Sequence, residues 1–322
     1  MDQRALLDFQ VSREEIFSAF EPFVHRHFHA GEIRWKRRVF QSWRKKFGDY
    51  LRQKVLSGSK PSFGGSQPTV KATYESFWGE TVLSEHLSKE GKATPCLWGE
   101  DRMLARGIGT KSVHHLLLKR ALETVKPESV LEVGSGYGIN LFVLAGYFPG
   151  IHFSGVELTK HGALAAKSIG KMPFMPKEIV DFAQGHLVDT TAHRRVNFFQ
   201  GNAMKLPFSD DSFDVLYTVL ALEAMEEIRH QALQELARVA RKYVIMIEPF
   251  LDFNDRGIRY YYHSSQHYFR GKIDELQQDG LEPIVVYSDF PHKIRLQPAL
   301  VIARPGLIRP IYTVCLMLML GI

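Results

Sequence analysis

The chain has 322 residues, 45% of them apolar and 12% aromatic, with a formal charge of +6 at neutral pH. That composition excludes a disordered or fibrous protein and suits one large or two modest packed domains. Two cysteines, Cys96 and Cys315, exclude a disulfide framework and a cysteine-based metal cluster, in keeping with a reducing compartment. No run of about 18 apolar residues occurs, and the first ten residues lack the basic-then-apolar pattern of a secretory leader, so a cytoplasmic location is expected.

Residues 1–128 read as a helical region, and the positive charge gathers there. From Arg26 to Lys60, eleven Lys/Arg stand against two acids, Glu32 and Asp49. Trp35, Phe40, Trp43, Phe47 and Leu51 recur at helical spacing through this run, which predicts an amphipathic, basic, aromatic helix pair. Such a face either packs on the core or meets an anionic partner, membrane headgroups among them. His25, His27 and His29 alternate, but the surrounding pattern is helical and no carboxylate or cysteine completes a set, so no metal site is expected. Gly58 to Pro68 reads as a loop or linker. A helical pattern returns over 71–90, and a turn at Gly107 to Lys111 precedes a helix from about Ser112 to Thr124.

The stretch V-L-E-V-G-S-G-Y-G-I-N-L, Val130 to Leu141, comes next. Its apolar run holds one carboxylate, Glu132; Gly134, Gly136 and Gly138 follow at alternate positions, and Leu141, Leu144 and Ala145 then begin a helical pattern. Strand, tight loop and helix N-terminus offer free backbone N–H groups to a ligand, and glycines let it approach. The next apolar strand ends in Glu157, about 20 residues past the glycines, where a carboxylate can accept ribose hydroxyls. A nicotinamide dinucleotide would need a glycine at Ile139. The crossover from Thr159 to Arg195 is long; Met172, Phe174 and Met175, and a helical pattern from Glu178 to Leu187, read as an insertion near the site, facing substrate or the core.

A strand from Val196 to Gln200 then leads to Gly201-Asn202-Ala203, Leu206-Pro207-Phe208 and, at Phe213-Asp214-Val215, a fourth strand. A helix over Glu227 to Arg241, a fifth strand ending at Glu248, and strands at Leu281 to Tyr287 and Ala299 to Ala303 complete the pattern. The alternation predicts an α/β fold over residues 129–305: a doubly wound, seven-stranded, mostly parallel sheet.

The G-x-G-x-G loop with the G-N-A…L-P-F…F-D-V segment resembles class I S-adenosylmethionine-dependent methyltransferases, nearest in flavour to the small-molecule, ubiquinone-biosynthesis-like branch. The resemblance covers about residues 129–305 and implies a Rossmann-like fold with S-adenosylmethionine as cofactor. By that resemblance Gly134, Ser135, Gly136 and Gly138 cradle the amino-acid part, and Glu132 orders the loop or meets the ammonium through water. Glu157, with Leu158 beside it, takes the ribose; Gly201, Asn202 and Ala203 meet the adenine; Thr218, Val219 and Leu220 border the sulfonium. The family has Asp where Asn202 stands, and an Asn carbonyl can still accept the adenine amine.

Methyl transfer by direct displacement needs a base only if the nucleophile arrives protonated. His263 and His267, in the aromatic segment Arg259 to Arg270, and Glu223, where relatives often have His, are the candidates. The implied acceptor is small or lipid-like. The sequence T-V-L-A-L-E at the fourth strand's end lacks the motif of amino-methylating enzymes of nucleic acids and disfavours that partner. A nucleic-acid methyltransferase, a nicotinamide-dependent oxidoreductase and a non-catalytic module of this fold stand as alternatives. Residues 306–322 form an apolar tail without charge from Ile311 onward, too short to span a bilayer. It is expected to dock on the protein or, with the basic run, to hold the chain at a membrane surface. The oligomeric state is left open.

Overall fold

A computed structural model describes residues 9–55, 65–80, 83, 93–183 and 187–306. Ser12 opens the first helix, α1 (Arg13–Phe20), with a reciprocal capping box to Glu15. Next come β1 (Val24–Phe28), the long basic α2 (Ile33–Val55), α3 (Gln67–Glu80), β2 (Ala93–Trp98), β3 (Asp101–Arg106) and α4 (Gly107–Val125). The region is therefore not all helical, as the sequence pattern had suggested. β2 and β3 form an antiparallel hairpin and β1 pairs with β3. Cys96, Trp98, Met103 and Ala105 point to one buried face, a period-two pattern too short to stand out beside its helical neighbours. His25 and His27 lie on β1 rather than on a helix, both exposed, with His27 against Glu21. The glycine-rich turn expected before α4 is its first turn, where the Thr110 hydroxyl donates to the Gly107 carbonyl.

The remaining chain is β4 (Ser129–Val133), α5 (Ile139–Tyr147), β5 (His152–Glu157), α6 (Lys160–Gly170), α7 (Lys177–Phe182), β6 (Asn197–Gln200) and β7 (Phe213–Val219). Then come α8 (Arg229–Val239), β8 (Ala240–Glu248), α9 (Gly257–Gln266), β9 (Leu281–Tyr287), β10 (His292–Lys293) and β11 (Ala299–Pro305). Seven strands make one sheet in the order β6-β5-β4-β7-β8-β11-β9. Its first five are parallel, and β11 runs antiparallel between β8 and β9. Both faces are covered, which is why these strands read as unbroken apolar runs. Val130, Val215, Ile245 and Ile302 belong to one apolar cluster; their neighbours Leu131, Leu216, Met246 and Val301 belong to the other.

Packing does not part at residue 128. Phe9, Ile16, Phe20 and Trp98 share a cluster with Leu117 of α4, Phe142 of α5 and Ile245 of β8. β10 leaves the connection between β9 and β11 to pair with β2, completing a four-stranded sheet in the order β1-β3-β2-β10. The tail at 307–322, most of the expected linker, residues 81, 82 and 84–90 of the 71–90 helical pattern and 184–186 of the Glu178–Leu187 pattern lie outside the described residues.

Candidate active site

At the end of β4 the chain turns through two residues that only glycine adopts freely: Gly134 has φ 84° and Gly136 φ 49°. The Gly134 and Ser135 N–H groups donate to the Val156 carbonyl at 2.8 and 3.0 Å, clamping the loop to β5. A Cβ on Gly134 would lie 2.6 Å from that of Ala221, and one on Gly136 would lie 2.6 Å from the indole of Trp78. Gly138 serves a different end from the one expected. It caps α5 with φ 75°, and its missing Cβ would sit 2.4 Å from the Phe198 ring, so it permits packing and does not line the cleft.

Glu157 is 6% exposed at the tip of β5. Its Oε2 accepts the Gly136 N–H at 2.9 Å, and its Oε1 accepts the Thr159 N–H at 3.0 Å and hydroxyl at 2.7 Å. The carboxylate therefore ties the glycine loop to the α6 cap while facing the cleft. Glu132 is buried in β4 and accepts Asn140 Nδ2 at 2.7 Å. Burial pushes its carboxyl up to about 8, with the hydrogen bond from Asn140 acting the other way. Asn202 Oδ1 accepts the Met204 N–H at 3.0 Å, fixing the turn after β6.

These groups line a cavity of about 500 Å³, within the range of small-ligand sites. Ser135, Leu158, Gly201, Ala203, Val219 and Leu220 line it too. Thr218 does not: it is wholly buried within β7, one residue short of the strand's open end.

Tyr74 of α3, Tyr262 of α9, Tyr268, Glu223, Lys293 and Arg295 also line the cavity. Burial raises all three phenols above their ordinary range. Glu223 is half-buried; burial first, then the nearby Glu248 carboxylate, pushes it up to about 8, partly offset by Lys293 and Arg295. Glu248, fully buried at the end of β8, accepts the Ala221 N–H at 3.0 Å, and burial pushes it up to about 7. His263 packs edge-on behind Tyr268 and does not itself line the cavity. It is 2% exposed, its Nε2 is 3.1 Å from the Pro249 carbonyl oxygen, and burial lowers it to about 4, so it ties α9 to the turn after β8. His267 caps α9 in a left-handed conformation and does not line the cavity either. The helical phase of α9 turns Tyr262, not the adjacent histidine, inward. Met172, Phe174 and Met175 are also off the cavity; Met175 packs in the core and Phe174 is exposed.

Helix α3 roofs the cavity with Val70, Tyr74, Phe77 and Trp78. Its start is pinned by the Gln67 N–H donating to Glu227 Oε2 at 2.6 Å. Farther along, Glu75 accepts the Lys160 and His161 N–H groups at 2.9 Å each, capping α6. Trp78 stacks edge-on with Tyr137 at 4.5 Å between centroids, directly over the glycine loop. The roof residues were missed in the sequence. Their signal was the spacing Val70, Tyr74, Phe77, Trp78, which marks a buried face without saying what it covers. Lys293 and Arg295 gave no signal.

Residues 131–247 match a family model described as a methyltransferase domain. An O-methyltransferase of Aspergillus nomiae, rstn1, is 31% identical over 120 residues, which are 37% of this chain and 45% of that protein. Norajmaline N-methyltransferase of Rauvolfia serpentina is 28% identical over 115 residues, 36% of this chain and 33% of that one. The chain thus spans less than half the length of these curated relatives. Residues 131–247 carry a methyltransferase domain. Among solved structures, the YcgJ protein of Bacillus subtilis is similar at 19% identity, over 60% of this chain and 98% of that one, with a TM-score of 0.41.

S-adenosylmethionine is the cofactor of such a methyltransferase domain, and the residues present fit it. Two positive-φ glycines leave backbone bare at the cavity wall, Cβ atoms there would close the space, and a buried carboxylate stands one strand away.

Proposed function

We propose that the protein transfers a methyl group from S-adenosylmethionine to a small acceptor carrying a protonated oxygen or nitrogen nucleophile. The roofed cavity carries this reading. The glycine loop and Glu157 line it together with three tyrosines and Glu223, and α3 is pinned across it. A small, flat or apolar molecule fits such a space, whereas a nucleic-acid strand would have to displace the helix. The O- and N-methyltransferase relatives agree with a small-molecule acceptor.

Glu132, Gly134, Ser135, Gly136, Glu157, Asn202 and Ala203 are the residues proposed to hold the cofactor. Bound there, it supplies an activated methyl group; the protein's own tasks are to aim the acceptor's lone pair, exclude water and take the released proton. The tyrosines aim and α3 excludes water. Glu223 takes the proton once ionised, with the buried Glu248 carboxylate keeping it basic.

The test is methyl-group tracing with labelled S-adenosylmethionine and a panel of phenols and amines. Turnover should rise with pH as the Glu223–Glu248 pair ionises, between about 7 and 8. Glu223→Gln should cut kcat by about 100-fold and flatten that rise. Label entering only RNA or protein, or an unchanged kcat and pH profile in Glu223→Gln, would overturn the reading.

A further inference from the structure

Helix α2 carries nine basic residues and one acid, Asp49, in 23 residues. Its inner face is accounted for. Trp35 is buried with Phe28 and Ile294, while Trp43, Phe47 and Tyr50 stack on Tyr260 and Tyr261 of α9. Its outer face is not, save that the Phe40 ring stacks on Trp43 along one edge. Ile33 is 79% exposed, Phe40 58%, Leu51 43% and Val55 76%. They stand at i, i+7, i+18 and i+22, all close to whole turns of a helix, so they form one apolar line down its length. Arg37 and Arg44 lie within the line, with Lys36 on one side and Arg34, Lys45 and Arg52 on the other; all but Arg52 have no carboxylate within ion-pair distance among the described residues. At 1.5 Å per residue the line runs about 34 Å.

We propose that this outer face of α2 is a membrane-docking surface that seats the protein on bilayers containing anionic lipid. Ile33, Phe40, Leu51 and Val55 enter the boundary between headgroups and acyl chains, and the flanking cations meet lipid phosphates. A polyanion such as nucleic acid would match the charge but leave four large apolar side chains in water, and a bilayer surface satisfies both. No described helix is long and apolar enough to cross a membrane, so the mode is surface contact. The helix also bears on the cavity. On its inner side the Lys46 ammonium lies 4.8 Å from the centroid of Tyr262, whose ring lines the cavity.

Co-sedimentation of the full chain with phosphatidylcholine vesicles, with and without phosphatidylglycerol, tests the surface without reference to methyl transfer. Binding should require phosphatidylglycerol and weaken as salt screens the charges. Each cation at such a surface is worth about fivefold in partition, so Arg37→Gln/Arg44→Gln should weaken binding about 25-fold. Ile33→Gln/Leu51→Gln, which keeps the charge and a good helix former, should weaken it by at least tenfold with circular dichroism unchanged. Three results would overturn the proposal. One is equal sedimentation with neutral and anionic vesicles. Another is loss only in the arginine pair, accompanied by equally tight binding to duplex DNA, which makes the face a general polyanion surface. The third is binding by a chain ending at Gly306 but not by the full chain, which would mean that the protein's own tail covers the stripe.

Discussion

Removing the Glu157 carboxylate separates its observed role as a loop anchor from its proposed role toward the ribose. Its two oxygens offer about four acceptor positions, and three are taken by Gly136 and Thr159. One position therefore remains for a ligand hydroxyl, and a second ribose bond requires sharing the oxygen that now takes the Gly136 N–H. Glu157→Ala should weaken binding of S-adenosylhomocysteine by one charge-assisted hydrogen bond, about 1.5–3 kcal/mol, or roughly 10- to 150-fold in Kd. It also strands buried donors on the loop and on the α6 cap, so Tm should fall too. Glu157→Gln should not rescue it. If the amide oxygen keeps the two Thr159 bonds, its NH₂ faces the Gly136 N–H, donor against donor. Titration calorimetry with S-adenosylhomocysteine, beside thermal melts, reads both effects. A Kd within twofold of wild type in Glu157→Ala, with the Tm loss present, would leave Glu157 a loop anchor only and refute its ribose role.

Glu132→Gln should preserve the bond from Asn140 while removing a buried ionisable group. Because the folded carboxyl is raised to about 8 from an unfolded value near 4.5, the native state binds the extra proton in that window and stability falls as pH rises through it. The variant's Tm advantage should thus be absent at pH 4 and greatest above pH 8; the same advantage at both would refute the assignment. Gly138→Ala should lower Tm through its left-handed φ and the Phe198 contact, and leave Kd for the cofactor unchanged if the loop refolds around it, as calorimetry on the folded fraction would show. Asn202→Asp keeps an oxygen for the Met204 N–H and should stay within about threefold in Kd; a far larger loss would mean that the Asn202 NH₂ donates to the ligand.

The methyl-donor half was legible because its evidence is contiguous. Strand, glycine turn and acid lie within 28 residues, Val130 to Glu157, and each residue type answers a local backbone need. Gly138 shows the limit: the same spacing that marks a ligand loop also marks a helix packed hard against a strand. The proposed acceptor half was hidden because Tyr74, Glu223, Tyr268 and Arg295 come from four distant segments that only the tertiary fold assembles. In Arg259 to Arg270 the aromatic content was visible, but a run of three tyrosines and a histidine does not reveal helical phase, so the buried His263 stood in for Tyr262. The strands β1 to β3 were lost among helices because they are five or six residues long.

The pairing of β10 with β2 has a consequence for how specificity can change in this architecture. The segment matching the family model ends at residue 247, before β9, β10 and β11, and begins after α3. It therefore takes in most of the donor pocket and little of what an acceptor would touch: Tyr74, Tyr262, Tyr268, Lys293 and Arg295 all fall outside it. The outlying parts are sewn together, since Ile294 beside β10 donates its N–H to the Pro95 carbonyl across the hairpin. Substitutions that reshape one wall are thus transmitted to the other. A chimera exchanging only residues 131–247 should keep its host's acceptor preference, and one exchanging residues 9–106 without the strand near residue 293 should fold poorly, because three strands of a four-stranded sheet would meet a fourth they were not matched to.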